Sequence, residues 1–364
     1  MSNLGRLHLV LALLVAVACS GDSGGTTATL SGGATTTATA TTATTSASGT
    51  TATSAESESS TSVASTGATA STTVDDTGGL KLDVGALKDL GGGGTDEGCK
   101  KIDFLFVIDN SNSMANEQQL LVDAFPDFIA AIEDGLPVAT DYHIGVTKTD
   151  IFGFDEDPTP DPQNPCPYVL GGLLATATPA AAKTGTGASC NFASGEQYMT
   201  GGPALAAEFA CAAAVGTKGN TGEYQAGATL AALSDALAQP GACNEGFLRD
   251  DALLIVTLIT DEDDDWSDPD NAQAWFDGVV AAKDGVETNI VFLLISGGEP
   301  KWPGCGPLDF NTNTGADAST KLTEWATKFT NHQLGSVCEA GYAGDLSAAL
   351  AIIATACEEF TPPS

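Results

Sequence analysis

Residues Phe104–Met114 read FLFVIDNSNSM, and the reading of this stretch decides the fold. An unbroken apolar run ends in Asp109, and Ser111 and Ser113 follow at alternate positions. A strand that is apolar on both faces belongs to the mainly parallel sheets of α/β proteins, which helices cover on both sides. Such a strand delivers Asp109 to the rim of the sheet, and the next turn can aim both serine hydroxyls at the same point. Hard oxygens clustered in this way suit Mg²⁺ or Ca²⁺ rather than zinc. Asp, Asn and Ser are also ordinary helix caps. The stretch alone therefore leaves a cation site and a capped strand end both open.

Outward from this stretch, strand and helix patterns alternate. Ile102–Ile108 reads as a buried strand. Asn116–Asp134 carries a helical stripe of Leu120, Leu121, Ala124, Phe128, Ile129 and Ile132, with Pro126 inside it as an expected kink. Tyr142–Thr149 reads as a second strand and Tyr168–Ala175 as a third. Helices are expected at Ala204–Val215 and at Tyr224–Leu237. Ala252–Thr260, ALLIVTLIT, is the strongest central strand. Ala272–Ala282 follows as a helix and Asn289–Ile295 as a strand. A helix near Ala318–Phe329, a short strand around Ser336–Cys338 and a helix over Leu346–Cys357 complete the pattern. The expected architecture is a Rossmann-like, doubly wound α/β fold. Its six-stranded sheet would be mainly parallel, with one antiparallel edge strand supplied by Tyr168–Ala175.

The first 19 residues read as a secretory signal: Arg6, an apolar run from Leu7, then small residues up to Cys19. Ala16-Val17-Ala18-Cys19 resembles a bacterial lipobox with Cys19 as the lipidated residue. That implies an exported protein, lipid-anchored in the bacterial cell envelope at the outer membrane or cell surface. Residues 20–98 are almost entirely Thr, Ser, Ala and Gly, and cannot bury enough apolar surface to offset chain entropy. As a flexible tether they would span about 50 Å. The slightly more apolar stretch Leu80–Leu90 is a candidate for weak docking. The folded domain is then 99–364, with a Pro-rich, acidic departure at about 151–200 that reads either as a cap over the rim or as an edge insertion.

The chain carries a net charge of −34, of which −28 belongs to residues 99–364. Such a balance argues against nucleic acid or an anionic membrane surface as partners and favours cations. Contact with a membrane is expected only through the lipid anchor. Besides Cys19 there are eight cysteines, all in the domain, and an even count in an exported chain reads as disulfides. Cys99 with Cys357 would clasp the domain ends. Cys166–Cys190, Cys211–Cys243 and Cys305–Cys338 are the other expected pairs.

A second rim carboxylate is Asp261, which ends the central strand in LITDEDDDWSD. In open α/β sheets ligands gather at the carboxyl ends of strands, so Asp109 and Asp261 would meet if their strands are neighbours. The Gly-rich loop Val215–Tyr224, VGTKGNTGEY, offers Thr217 and Thr221 as further oxygen donors. The acidic run Asp261–Asp270 reads either as a solvated turn or as a second Ca²⁺ site using Asp263, Asp265 or Asp268. An EF-hand is excluded, because Trp266 stands where that loop needs Gly and Ala272 where it needs Glu.

The DxSxS of Asp109, Ser111 and Ser113, a Gly-x-Thr loop, and an Asp after an apolar strand together resemble the metal-ion-dependent adhesion site of the von Willebrand factor A domain family. The resemblance covers most of 99–364 in element order. It implies that Asp109, Ser111, Ser113, Thr221 and Asp261 hold Mg²⁺, or Ca²⁺ or Mn²⁺ in its place. Thr217 is the alternative threonine. It further implies an open coordination position filled by an acidic residue of a protein partner.

An enzyme reading has little to stand on. The chain has no GxSxG elbow, no Walker loop and no HExxH. His143 falls inside a strand and His332 near a helix end, so neither is expected to be catalytic. A binding module is expected, with a structural or Ca²⁺-buffering envelope protein as the alternative and a metal-dependent hydrolase as the weakest reading.

Overall fold

The computed structural model describes residues 73–74, 80–81, 99–136, 139–150, 163–178, 187–219 and 222–362. The signal segment, the lipobox with Cys19, most of the tether and Thr221 lie outside the described residues. Within the tether, Thr73–Val74 pairs antiparallel with Leu80–Lys81, a two-residue ladder separate from the main sheet. Among the described residues, no helix is long and apolar enough to cross a membrane.

The domain is a mixed α/β structure built on one six-stranded sheet. Its elements are β1 (Lys101–Ile108), α1 (Ala115–Gly135), β2 (Asp141–Lys148), β3 (Met199–Thr200), α2 (Leu205–Ala212), α3 (Gln225–Ala232), β4 (Leu253–Ile259), α4 (Ala272–Ala281), β5 (Ile290–Ser296), α5 (Thr320–Ala326), β6 (His332–Ser336) and α6 (Ala343–Glu359). The strand order is β3-β2-β1-β4-β5-β6. Five strands are parallel, and β3 is the antiparallel edge. From β1 the chain winds out to β3, then returns to the centre and winds the other way through β6. The reversal falls between β1 and β4, the place where doubly wound sheets open a crevice for a ligand.

Continuous apolar strands demand cover on both faces, and they receive it. Phe104, Phe106 and Ile108 point to one side, where α1, α2 and α6 pack. Phe125 and Phe209 stack there at 3.6 Å between ring centroids, and Phe106 meets Phe209 edge-on at 4.8 Å. Leu105 and Val107 point to the other side, under α3, α4 and α5, where Trp275 and Trp325 are fully buried. At the opposite end of the sheet from the rim, buried Asp103 accepts from the Arg249 amide at 2.7 Å and from its Nε at 2.8 Å.

Three expectations need correction. The antiparallel edge strand is Met199–Thr200, not Tyr168–Ala175. Cys166–Tyr168 forms a single 3₁₀ turn, and the following residues run beside β2 with one ladder bond, from the Leu174 amide to the Val146 carbonyl at 2.9 Å. Their backbone is held instead by the buried Asn244, whose side chain bonds Leu173, Gly171 and Ala232, each at 2.9 Å. The disulfides are Cys99–Cys357, Cys166–Cys243, Cys190–Cys211 and Cys305–Cys338. The first and last agree with expectation. The middle two exchange partners: Cys166 is joined to the segment after α3 and Cys190 to α2, while 175–177 pair with 188–190 through backbone bonds. In its described part the 151–200 segment is thus joined to the edge of the sheet. The last strand also lies earlier than expected, at His332–Ser336.

Candidate metal centre

Neighbouring β1 and β4 bring Asp109 and Asp261 to the same rim. The pairing runs in register from Ile102–Leu253 to Ile108–Ile259, and it is extended by the Asp109 amide bonding the Ile259 carbonyl at 3.0 Å. Asp109, Ser111, Ser113 and Asp261 are all buried. Asp109 Oδ1 accepts the Ser111 amide at 2.6 Å, which turns the chain back over the strand end. The two serine Oγ atoms stand 3.2 Å apart, and the Ser113 hydroxyl acts on the Asp261 carboxylate, lowering its pKa against the effect of burial. Asp109 Oδ2 accepts Thr260 Oγ1 at 2.6 Å.

The loop before α3 is tied to the same rim. Gln118 Nε2 donates both to the Asp109 carbonyl at 3.0 Å and to the Gly216 carbonyl at 2.9 Å. This bond places Gly216, and with it the adjoining Thr217, beside the first strand. The Gly219 amide donates to the Asn110 carbonyl at 2.8 Å. The approach is so close that a Cβ on Gly219 would lie 2.6 Å from Asn110 Nδ2. Such contact admits only glycine.

Two residues that the sequence analysis did not single out complete the centre. Glu223 and Glu262 join Asp109 in a buried cluster whose carboxylate oxygens lie within 4.8 Å of one another. This acidic cluster has the ligands to bind a metal ion. Glu223 Oε2 accepts Thr149 Oγ1 at 2.5 Å, and Glu223 Oε1, Glu262 Oε2 and Asp261 Oδ1 have no hydrogen-bond partner. Glu262 stands beside Asp261 in the acidic run, which was a visible signal. Glu223 is the penultimate residue of the Gly-rich loop, two before α3, and nothing local marks it as buried.

Burial, and behind it neighbouring negative charge, raises the pKa values of these carboxylates. Burial first, then Asp109, pushes Asp261 up to about 8, and the same two causes, followed by Asp261, push Glu262 up to about 9. Burial raises Asp109, against the hydrogen bonds from Thr260 and Ser111. Burial and then Asp109 raise Glu223 well above its ordinary value. A set of buried oxygens that resists ionisation and lacks donors fits a missing positive charge.

The rest of the acidic run has other work. Asp263 accepts the Lys321 and Leu322 amides at 3.0 and 3.1 Å, capping the start of α5. Asp264 accepts the Ala226 amide at 2.8 Å and the Ser267 hydroxyl at 2.7 Å, capping α3. Asp270 pairs with Lys321 at 2.9 Å, while Asp265 and Asp268 are exposed. The run is therefore not simply a solvated turn. It fastens two helices to the end of β4. His143 bonds the Phe247 carbonyl at 2.8 Å and His332 the Phe329 carbonyl at 2.6 Å, both away from the rim residues.

No family model matches this chain, and no curated protein is similar to it. Among solved structures, proximal thread matrix protein 1 from the mussel byssus aligns in two crystal structures. One, crystal form 2, is 13% identical over 72% of this chain and 49% of that one, with a TM-score of 0.34. The other is 14% identical over 71% and 47%, with a TM-score of 0.30. The chain thus spans about half the length of these structures, and at such scores the likeness says nothing about the site.

Proposed function

We propose that this chain is a tethered binding module of the von Willebrand factor A type. In this reading it holds Mg²⁺, or Ca²⁺ or Mn²⁺, at the β1/β4 rim and grips an acidic residue of a partner protein there. The observation that carries the reading is the convergence of Asp109, Ser111 and Ser113 after β1 with Asp261 after β4, two hydroxyls and two carboxylates at the ends of neighbouring strands, all buried. Thr221 or Thr217, on the loop that Gly219 clamps to Asn110, would add a third hydroxyl.

A bound divalent ion would supply the positive charge that a partner carboxylate needs. The chain's own groups do the rest. Ser111 and Ser113 present neutral oxygens, which leave the ion's charge less quenched than carboxylates would. Thr260 and the Ser111 amide hold Asp109 in one orientation. Cys19 would anchor the module in the cell envelope, with 20–98 carrying it away from the membrane. The charge of −28 opposes an acidic partner at long range, but screening within about 8 Å leaves the short contact dominant.

A structural role for the cation is the second reading, favoured by how deeply Asp109 and both serines are buried. Capture of partners from envelope extract separates the two. The binding reading requires partners held in Mg²⁺ and lost both in chelator and in Asp109→Ala. Partners that stay bound to an Asp109→Ala protein of lowered melting temperature would leave only the structural role.

A further inference from the structure

The rim holds more negative charge than one divalent ion balances. Asp109, Glu223, Glu262 and Asp261 are four buried carboxylates, and the first three bring their oxygens within 4.8 Å of one another. The two oxygens of Asp109 face different neighbours. Oδ1 takes the Ser111 amide, on the side where Ser113 meets Asp261. Oδ2 takes Thr260 Oγ1, which in turn accepts Gln225 Nε2 at 3.1 Å, on the side of α3.

That second side is rich in oxygens without donors. Glu223 is 1% exposed, yet its Oε1 has no partner. Gln225 is fully buried with its amide nitrogen on Thr260, and its Oε1 has no partner either. Glu262 Oε2 is the third such atom. A buried polar atom left unpaired costs about 1–3 kcal/mol, more when charged. Asp109, Glu223 and Glu262 bring their oxygens within 4.8 Å of one another, and Gln225 reaches the same carboxylate through Thr260, so one cation on this side would answer the unpaired oxygens.

We propose that a second divalent cation, Ca²⁺, sits on the α3 side of Asp109, held by Asp109, Glu223 and Glu262 with Gln225 as a neutral oxygen ligand, so that Asp109 bridges two ions. The inference rests on the adhesion-type reading for the outer ion. Ca²⁺ suits an all-protein set of carboxylates and an amide carbonyl, whereas Mg²⁺ keeps several waters. The second ion also answers an electrostatic problem. Four ionised carboxylates around one divalent ion leave two negative charges in a buried rim, which repel an incoming acidic side chain. A second divalent ion removes that excess. The inner ion therefore sets the charge of the outer site without touching the partner.

The full chain, stripped with chelator and titrated with Ca²⁺ alone by calorimetry, tests this, with bound metal counted by atomic emission. Two equivalents are expected for the unaltered protein. Glu223→Gln keeps the acceptor for Thr149 and is expected to lose one equivalent, and to melt no lower than the unaltered protein in chelator because it removes a buried charge. Ser113→Ala with Asp261→Asn is expected to lose the other equivalent and keep the inner one. A single equivalent in the unaltered protein, or two retained in Glu223→Gln, overturns the proposal. If Glu223→Gln loses one equivalent while the double variant keeps both, the outer site fails and the inner ion stands.

Discussion

Thr260 Oγ1 donates to Asp109 Oδ2 at 2.6 Å, so the last residue before the β4 turn holds the carboxylate that ends β1. The contact fixes the orientation of Asp109 without itself needing to touch a metal. Groups of this kind typically alter metal affinity by 10–100-fold when removed. Thr260→Val keeps the shape and β-branching of the side chain. It should lower Mg²⁺ affinity by about tenfold or more, measured by calorimetry. An unchanged affinity would show that Asp109 is oriented by its other bonds alone.

The buried carboxylates give stability a definite pH dependence. Asp261 and Glu262 titrate at about 8 and about 9 in the fold, above their ordinary values of 3.8 and 4.5. The folded state then binds more protons than the unfolded one across that interval, so stability falls as pH rises through it. Asp103 at about 6 and Asp345 at about 7 add to the same trend. In chelator, the melting temperature should therefore be several degrees lower at about pH 8.5 than at about pH 5.5. Millimolar Mg²⁺ or Ca²⁺ should flatten the dependence, since a bound ion favours the ionised carboxylates. A metal-independent profile of the same slope would contradict a cation at this rim.

At the far end of the sheet, Arg249 is the partner of fully buried Asp103 through both its amide and its guanidinium. Burial still raises Asp103, to about 6, against the lowering effect of Arg249. Arg249→Ala leaves that carboxylate with the backbone donor alone. The loss should be about 3 kcal/mol in urea denaturation near neutral pH, the low end for breaking a buried pair because one hydrogen bond survives. It should leave cation affinity unchanged, since the rim is at the opposite end of β1.

Four disulfides divide the domain into loops of very different length. Cys99–Cys357 closes 258 residues and Cys190–Cys211 closes 21. On the chain-entropy model these contribute about 5.6 and about 3.3 kcal/mol. Replacing Cys99 and Cys357 together by Ala should lower the melting temperature more than replacing Cys190 and Cys211. Non-reducing peptide mapping should recover Cys166 with Cys243 and Cys190 with Cys211. Recovery of Cys166 with Cys190 would contradict the way the insertion packs on α2.

Much of the frame was legible in the chain itself. The runs at 102–108 and 252–260 are apolar at every or nearly every position, which only a strand covered on both faces can use. Their lengths and the helical stripe at 116–134 gave element boundaries within about two residues. The edge of the sheet was not legible. Tyr168–Ala175 is as apolar as a strand, but Leu173 and Leu174 are buried by Phe247 and the core around β2 without joining the ladder beyond one bond. The edge strand β3 is only two residues long, too short to show alternation.

By itself, the sequence determined the alternation of strands and helices, the even number of cysteines in the domain, and the placing of Asp109 and Asp261 at strand ends. Those properties are local, set by periodicity and by where an apolar run stops. Only the tertiary structure decided which cysteines pair within the insertion and that Glu223 lies against Asp109 and Glu262. Each of those contacts joins chain segments brought together by the side-by-side register of β2, β1 and β4. Position along the chain carries no information about which loops that register places within a few ångströms of each other.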